Sequence, residues 1–157
     1  MSTTPLDSYK QPFSVLVIIH NPKGMVLLIR RVDSGTWQSV TGSRESSDAS
    51  WKDTAVREVR EETGINALAS GHELLDWNLE NTYDIYPKYL SKYAPGVTRN
   101  TEHVWGLSVP EHTPIQLHPA EHSEWKWVPW RQAADEVFSP SNAEAILWLS
   151  RWGRFDP

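Results

Sequence analysis

The stretch Arg57-Glu58-Val59-Arg60-Glu61-Glu62-Thr63-Gly64-Ile65 puts three carboxylates into five residues. If it is helical, a turn of about 100° per residue stacks Glu62 over Glu58 and sets Glu61 beside them, so all three crowd one flank. The same arithmetic places Trp51, Ala55 and Val59 on an apolar stripe overlapping Glu58 and Glu62, which turns these carboxylates toward the body of the protein. On an exposed helix, like-charge neighbours cost only about 0.2–0.5 kcal/mol a pair. Half-buried, the same groups are expensive unless a cation neutralises them, and a hard divalent ion that prefers oxygen ligands is the economical candidate. Arg57 and Arg60 offer another solution, since Arg57 stands one turn from Glu61. These nine residues alone leave a metal site and a salt-bridged helix both open.

A helix must position this run, and its ends are marked. Ser50-Trp51-Lys52-Asp53 reads as a cap and Gly64 as a stop, which predicts a helix over Trp51 to Thr63. Phe13 to His20 is continuously apolar and rich in β-branched residues; Asn21-Pro22-Lys23-Gly24 is turn chemistry, and Met25 to Arg30 is apolar again. That pattern is a hairpin. Trp37 to Val40 is a short strand candidate, Leu74 to Tyr89 one long strand or a pair, and His103 to Val109 and Glu124 to Val128 are further strands. Arg131 to Val137 and Asn142 to Trp152 are helix candidates, the second with Ala145, Ile146, Leu149 and Trp152 at helical spacing. Strands with interspersed helices predict an α/β or α+β sandwich. The length of 157 residues fits one domain over 1–157, with Met1 to Ser8 a loose terminus.

Composition narrows the chemistry. The chain has no Cys, which excludes disulfides, thiolate zinc sites, iron–sulfur clusters and thiol nucleophiles. Its net charge is −5 and it lacks a Lys/Arg run, so duplex nucleic acid is not an expected partner. The longest apolar run, Val15 to Ile19, is too short for a bilayer, and the start lacks a signal-peptide pattern; no membrane partner and a cytoplasmic location are expected. The sequence carries no signal for an oligomeric state. Among nine tryptophans, Trp51, Trp125, Trp127, Trp130, Trp148 and Trp152 are expected in the core and in helix packing.

The segment from Gly42 to Ile65 resembles the signature of the Nudix hydrolases: a Gly, five residues, a Glu, seven residues, then Arg-Glu, an apolar residue, any residue, Glu-Glu, any residue, Gly and an apolar residue. Residues 57–65 match every fixed position of the second half. In the first half Asp48 stands where the pattern has Glu, and eight residues separate it from Arg57. That is a one-residue insertion ahead of the helix. Further likeness lies in Tyr9-Lys10-Gln11-Pro12, Arg30-Arg31, Trp37-Gln38-Ser39-Val40-Thr41-Gly42-Ser43 and Tyr93 to Glu102, and runs from Lys10 to about Asn142. These segments are similar to those of bacterial Nudix enzymes that act on a pterin triphosphate and on dATP.

The resemblance implies a Nudix fold, a mixed β-sheet between α-helices, and Mg²⁺-dependent hydrolysis with Mn²⁺ as a possible substitute. The small-molecule triphosphate expected is 7,8-dihydroneopterin triphosphate, giving the monophosphate and pyrophosphate on the way to folate. By the same likeness Glu58 and Glu62 ligate the metal, Glu61 ligates or supports it, Glu121 adds a metal-binding acid, and Glu62 or Glu121 is the base. Lys10 and Arg30 hold phosphate, for which fixed cations are suited. Thr41 offers a hydroxyl or amide, and Arg99 holds phosphate or braces its loop. Tyr83, Asp84, Ile85 and Tyr86 lie where the heterocycle is read, with Asp84 accepting paired N–H donors, and Ser139 contacts substrate. On residue chemistry alone each has a plainer reading: surface charge for Lys10 and Arg30, a turn residue for Thr41, strand alternation for 83–86, a helix cap for Ser139. Alternatives are a hydrolase of dATP or oxidised purine triphosphates and a catalytically silent nucleotide sensor. The three intact helix carboxylates weigh against the sensor.

Overall fold

The computed structural model of the protein describes residues 8–153 and 155. Apart from Ser8, the terminus expected to be loose lies outside them. Seven strands form one mixed sheet: β1 (Phe13–His20), β2 (Met25–Arg31), β3 (Trp37–Gln38), β4 (Val40–Ser43), β5 (Glu73–Asp84), β6 (Arg99–Ser108) and β7 (His122–Pro129). Their main path is β3-β2-β1-β6-β5, with β4 on β1 and β7 on β2. Only β1 and β6 run parallel. Four helices complete the fold: α1 (Trp51–Thr63), α2 (Trp130–Glu136), α3 (Pro140–Leu147) and α4 (Leu149–Trp152). The apolar run of β1 is buried on both faces, as a central strand requires. Val15, Val17 and Ile19 pack with Leu27 and Ile29 against Ala55 and Val59 of α1. Leu16 and Ile18 pack with Val26 and Leu28 against Ala133, Ala145, Ile146 and Leu149. The sheet is thus sandwiched, with α1 on one face and α2 to α4 on the other. Among the described residues, no helix is long and apolar enough to cross a membrane.

The hairpin forms as its sequence predicts. Asn21 Oδ1 accepts from the amides of Lys23 (3.0 Å) and Met25 (3.2 Å), and Gly24 takes φ +76° to close the turn. Helix α1 also has the expected bounds: Ser50 Oγ accepts from the Asp53 amide at 3.2 Å, and Gly64 ends the helix at φ +74°.

Several boundaries differ from expectation. β5 stops at Asp84 rather than reaching Tyr89, because Pro87, without an N–H, opens a 3₁₀ turn over Pro87–Lys92. The last helical region starts at Pro140, capped by Ser139, and is broken at Trp148 into α3 and α4. Trp125 and Trp152 are exposed rather than core, while Trp77 and Trp105 are buried. On a half-covered strand or short helix, the covered face decides this, and residue type does not.

Candidate active site

Helix α1 leans on β4, and the contact is close. A Cβ on Gly42 would fall inside the Glu58 carboxylate, so glycine is what lets that side chain lie against the strand as it does. Glu62 lies one turn further along and is 4% exposed; its Oε2 accepts from the Thr41 amide at 3.2 Å. Glu61 points outward with a side chain 52% exposed. The run thus splits: two carboxylates enter the protein and one stays at its surface.

Arg57 supports the run from the other side. Its Nε and Nη2 donate to Asp48 at 3.0 and 2.9 Å, Nη2 also reaches the Ser43 carbonyl at 2.9 Å, and Nη1 pairs with Glu58 at 2.9 Å and Glu61 at 3.3 Å. The salt-bridged helix and the inward carboxylates are therefore both present. Asp48 is held further by Thr54 Oγ1 at 2.8 Å and by a reciprocal turn with Glu45. This loop, where the spacing departs by one residue from the signature, ends at the Ser50 cap. With a guanidinium bound edge-on, the Asp48 carboxyl is held down near 2.

Glu58 and Glu62 are shifted the other way. Burial, opposed in part by Arg57, pushes the Glu58 carboxyl up to about 7. Burial pushes Glu62 well above the carboxylate range, with Glu58 and Glu121 adding to it. Glu62 Oε1 is 3.8 Å from Nε2 of His122, but burial lowers that imidazole's pKa, so at neutral pH the contact supplies no cation. The Nδ1 atom of His122 is buried without a partner among the described residues. Glu62, Glu121 and His122 each bring one ligand atom within 4.8 Å of the others. A buried acid without a cationic partner, Glu62, with the partly buried Glu58 and the exposed Glu121 in the same cleft, fits a divalent cation held by oxygen.

These groups line a cleft of ≈ 810 Å³. Lys10, Arg31 and Lys92 line it too. The Lys10 amide donates to the Lys92 carbonyl at 2.7 Å, which holds both lysines at one rim. Burial lowers the Lys10 ammonium pKa, and Lys92 and Arg31 lower it further. Acids on the α1 side and cations across from them suit a metal-bridged polyphosphate.

A NUDIX domain family model matches residues 10–149. The chain belongs to the Nudix family. It is 39% identical over 140 residues to the dihydroneopterin triphosphate diphosphatase of Escherichia coli, covering 88% of this chain and 91% of that protein. It is 38% identical, over 88% of this chain and 87% of the relative, to the Haemophilus influenzae protein of the same name. The solved E. coli dihydroneopterin triphosphate pyrophosphohydrolase superposes with a TM-score of 0.80 at 38% identity, covering 88% of this chain and 94% of the other.

The Nudix cleft brings together Lys10, Thr41, Glu58, Glu62 and Glu121 from four separate segments, Glu58 and Glu62 sharing α1. It does not include Arg30, whose Nη1 meets Glu124 at 3.1 Å and whose Nε bonds the Gly35 carbonyl at 2.9 Å beside Trp37. Its neighbour Arg31 lines the cleft instead, because successive residues of a strand face opposite ways and α1 covers the face of Leu27 and Ile29. Parity along β2 could have found Arg31 once the α1 face was known. Lys92, brought in by a turn, had no sequence signal.

The segment expected to read the heterocycle also lies off the cleft. Asp84 is exposed and paired with Arg99 at 3.2 Å, Ile85 is buried, and Tyr86 is exposed near Tyr89. Tyr83 turns inward enough for its hydroxyl to accept from Asn100 Nδ2 at 3.0 Å. Ser139 caps α3, its Oγ accepting from the Asn142 amide at 3.4 Å and sharing a hydrogen bond with Ser141 Oγ at 2.9 Å.

Proposed function

We propose that this Nudix protein is a divalent-metal-dependent pyrophosphohydrolase that converts 7,8-dihydroneopterin triphosphate to the monophosphate and pyrophosphate. The observation that carries the chemistry is that two α1 carboxylates, the buried Glu62 and the partly buried Glu58, line one cleft with Lys10, Arg31 and Lys92. The substrate rests on the likeness to the two bacterial diphosphatases, which spans most of both chains.

Glu58, Glu62 and Glu121 would hold Mg²⁺, or Mn²⁺ in its place. Such an ion supplies charge neutralisation at the phosphate oxygens and acidifies a water. The chain does the rest. Gly42 lets Glu58 approach the strand, and the Thr41 amide pins Glu62. Lys10, Arg31 and Lys92 hold the phosphate tail in line. Glu62 is buried with one oxygen on the Thr41 amide, whereas Glu121 is exposed at the mouth of the cleft; Glu121 takes the proton of the attacking water. Glu61, tied to Arg57, supports the helix from outside.

The test is turnover with Mg²⁺ and with Mn²⁺, comparing dihydroneopterin triphosphate with dATP and the other nucleoside triphosphates and resolving the products. Preference for the pterin with release of pyrophosphate is expected. Release of orthophosphate, or preference for a nucleotide, overturns the reading.

A further inference from the structure

On the sheet face covered by α3, polar residues continue inward from the cleft. Ser14 of β1 pairs with Ser43, which lines the cleft, and on its other side with Glu102 of β6. Asn100 and Glu102 stand two apart on β6 and share this face, roughly 6.5 Å apart along the strand. Asn100 is 2% exposed; its Nδ2 donates to Ser14 Oγ at 2.8 Å and to the Tyr83 hydroxyl, while its Oδ1 is buried without a partner among the described residues. Glu102 is 5% exposed, and its partners, Ser141 and Asn81, are both neutral. Ser141 Oγ donates to Glu102 Oε1 at 3.0 Å. Tyr83 and Ser141, both partly exposed, form the outer rim.

A buried carboxylate with only neutral donors, next to an orphaned amide oxygen, is costly in a folded chain unless a ligand brings N–H groups to both. The ligand that fits is a planar ring with an amino group beside a ring N–H, as in a 2-amino-4-oxopyrimidine edge. That edge offers two parallel donors to one carboxylate. An adenine edge offers its amino group beside a bare ring nitrogen, whose lone pair would face the same carboxylate.

We propose that Glu102 and Asn100 read the ring of the triphosphate substrate, Glu102 accepting the paired amino and ring N–H donors and Asn100 Oδ1 a further N–H, with the Ser141 hydroxyl standing in for a ring donor until the ring arrives. This rests on the pyrophosphohydrolase reading and moves recognition from Asp84, which is exposed and paired with Arg99, to the strand beside it.

The experiment is steady-state kinetics of wild type, Glu102→Gln and Glu102→Asp on dihydroneopterin triphosphate, dGTP and dATP with Mg²⁺, alongside thermal melting. Glu102→Gln should raise KM for the pterin and for dGTP by about tenfold or more, leave kcat within about twofold, and spare or improve dATP. Glu102→Asp, which keeps the acceptor but loses a methylene, should retain more pterin and dGTP affinity than the isosteric Gln. A packing role gives the reverse order, with Asp worse than Gln and all three substrates affected alike. That order, or no change in any KM, overturns the proposal. If wild type prefers dATP to the pterin, the substrate reading falls, yet the effect of Glu102→Gln on the dGTP-to-dATP ratio still decides whether Glu102 reads the ring.

Discussion

Asp48 and Glu62 are both nearly buried acids beside helix α1, and the protein treats them in opposite ways. Asp48 receives two guanidinium donors, a hydroxyl and an amide, and its carboxyl is held near 2. Glu62 receives one amide, with the His122 ring 3.8 Å away, and burial drives its carboxyl up. One acid is completed by the chain and the other is left for something the chain does not supply. A buried acid that is fully bonded is scaffolding; one short of positive charge is a binding site.

Removing the incomplete acid should break that contrast most visibly. Glu62→Gln should lower kcat by more than about 100-fold, beyond what loss of an outer support costs, while melting unchanged or slightly higher without metal. A fully active variant in a turnover assay would end the metal assignment. Gly42→Ala should come next, at about 10–100-fold in activity, because the new methyl displaces the Glu58 carboxylate. Weakened Mn²⁺ binding by calorimetry, with the fold intact by circular dichroism, checks this. Asp48→Asn tests the completed acid and should cost about 1.5–3 kcal/mol in urea unfolding, the scale of hydrogen bonds to a charged group, with a smaller loss of activity as Arg57 slackens.

The pH dependence of stability sharpens the same contrast. Glu58 goes from an ordinary 4.5 to about 7 on folding, so between these values the folded state keeps a proton that the unfolded state has lost. Without metal, stability should therefore fall as pH rises through that window, and saturating Mg²⁺ should cancel the fall. Asp48 runs the other way, from an ordinary 3.8 to about 2. Its contribution is present above about 3.8 and lost as pH falls through 2. Melting curves from pH 2 to 8, with and without Mg²⁺, read both.

Local rules carried a good part of this molecule. The hairpin at Asn21 to Gly24 and both ends of α1 follow from turn and capping chemistry confined to a few neighbouring residues. The inward turn of Glu58 and Glu62 follows from helical geometry relative to Ala55 and Val59. Arg30 and Asp84 lie outside the cleft for a shared reason: each is on a strand, where residue type says little about which face is covered, and each pairs with an opposite charge there, Glu124 and Arg99.

The sequence by itself determined most of the elements and the spacing of the α1 carboxylates, because these depend on short-range geometry. Tertiary structure alone decided that Lys92 and Arg31 join Lys10, that His122 stands beside Glu62, and that Glu102 and Asn100 are buried together behind the cleft. Those groups come from distant parts of the chain, and the pairing of strands and the choice of covered face bring them together.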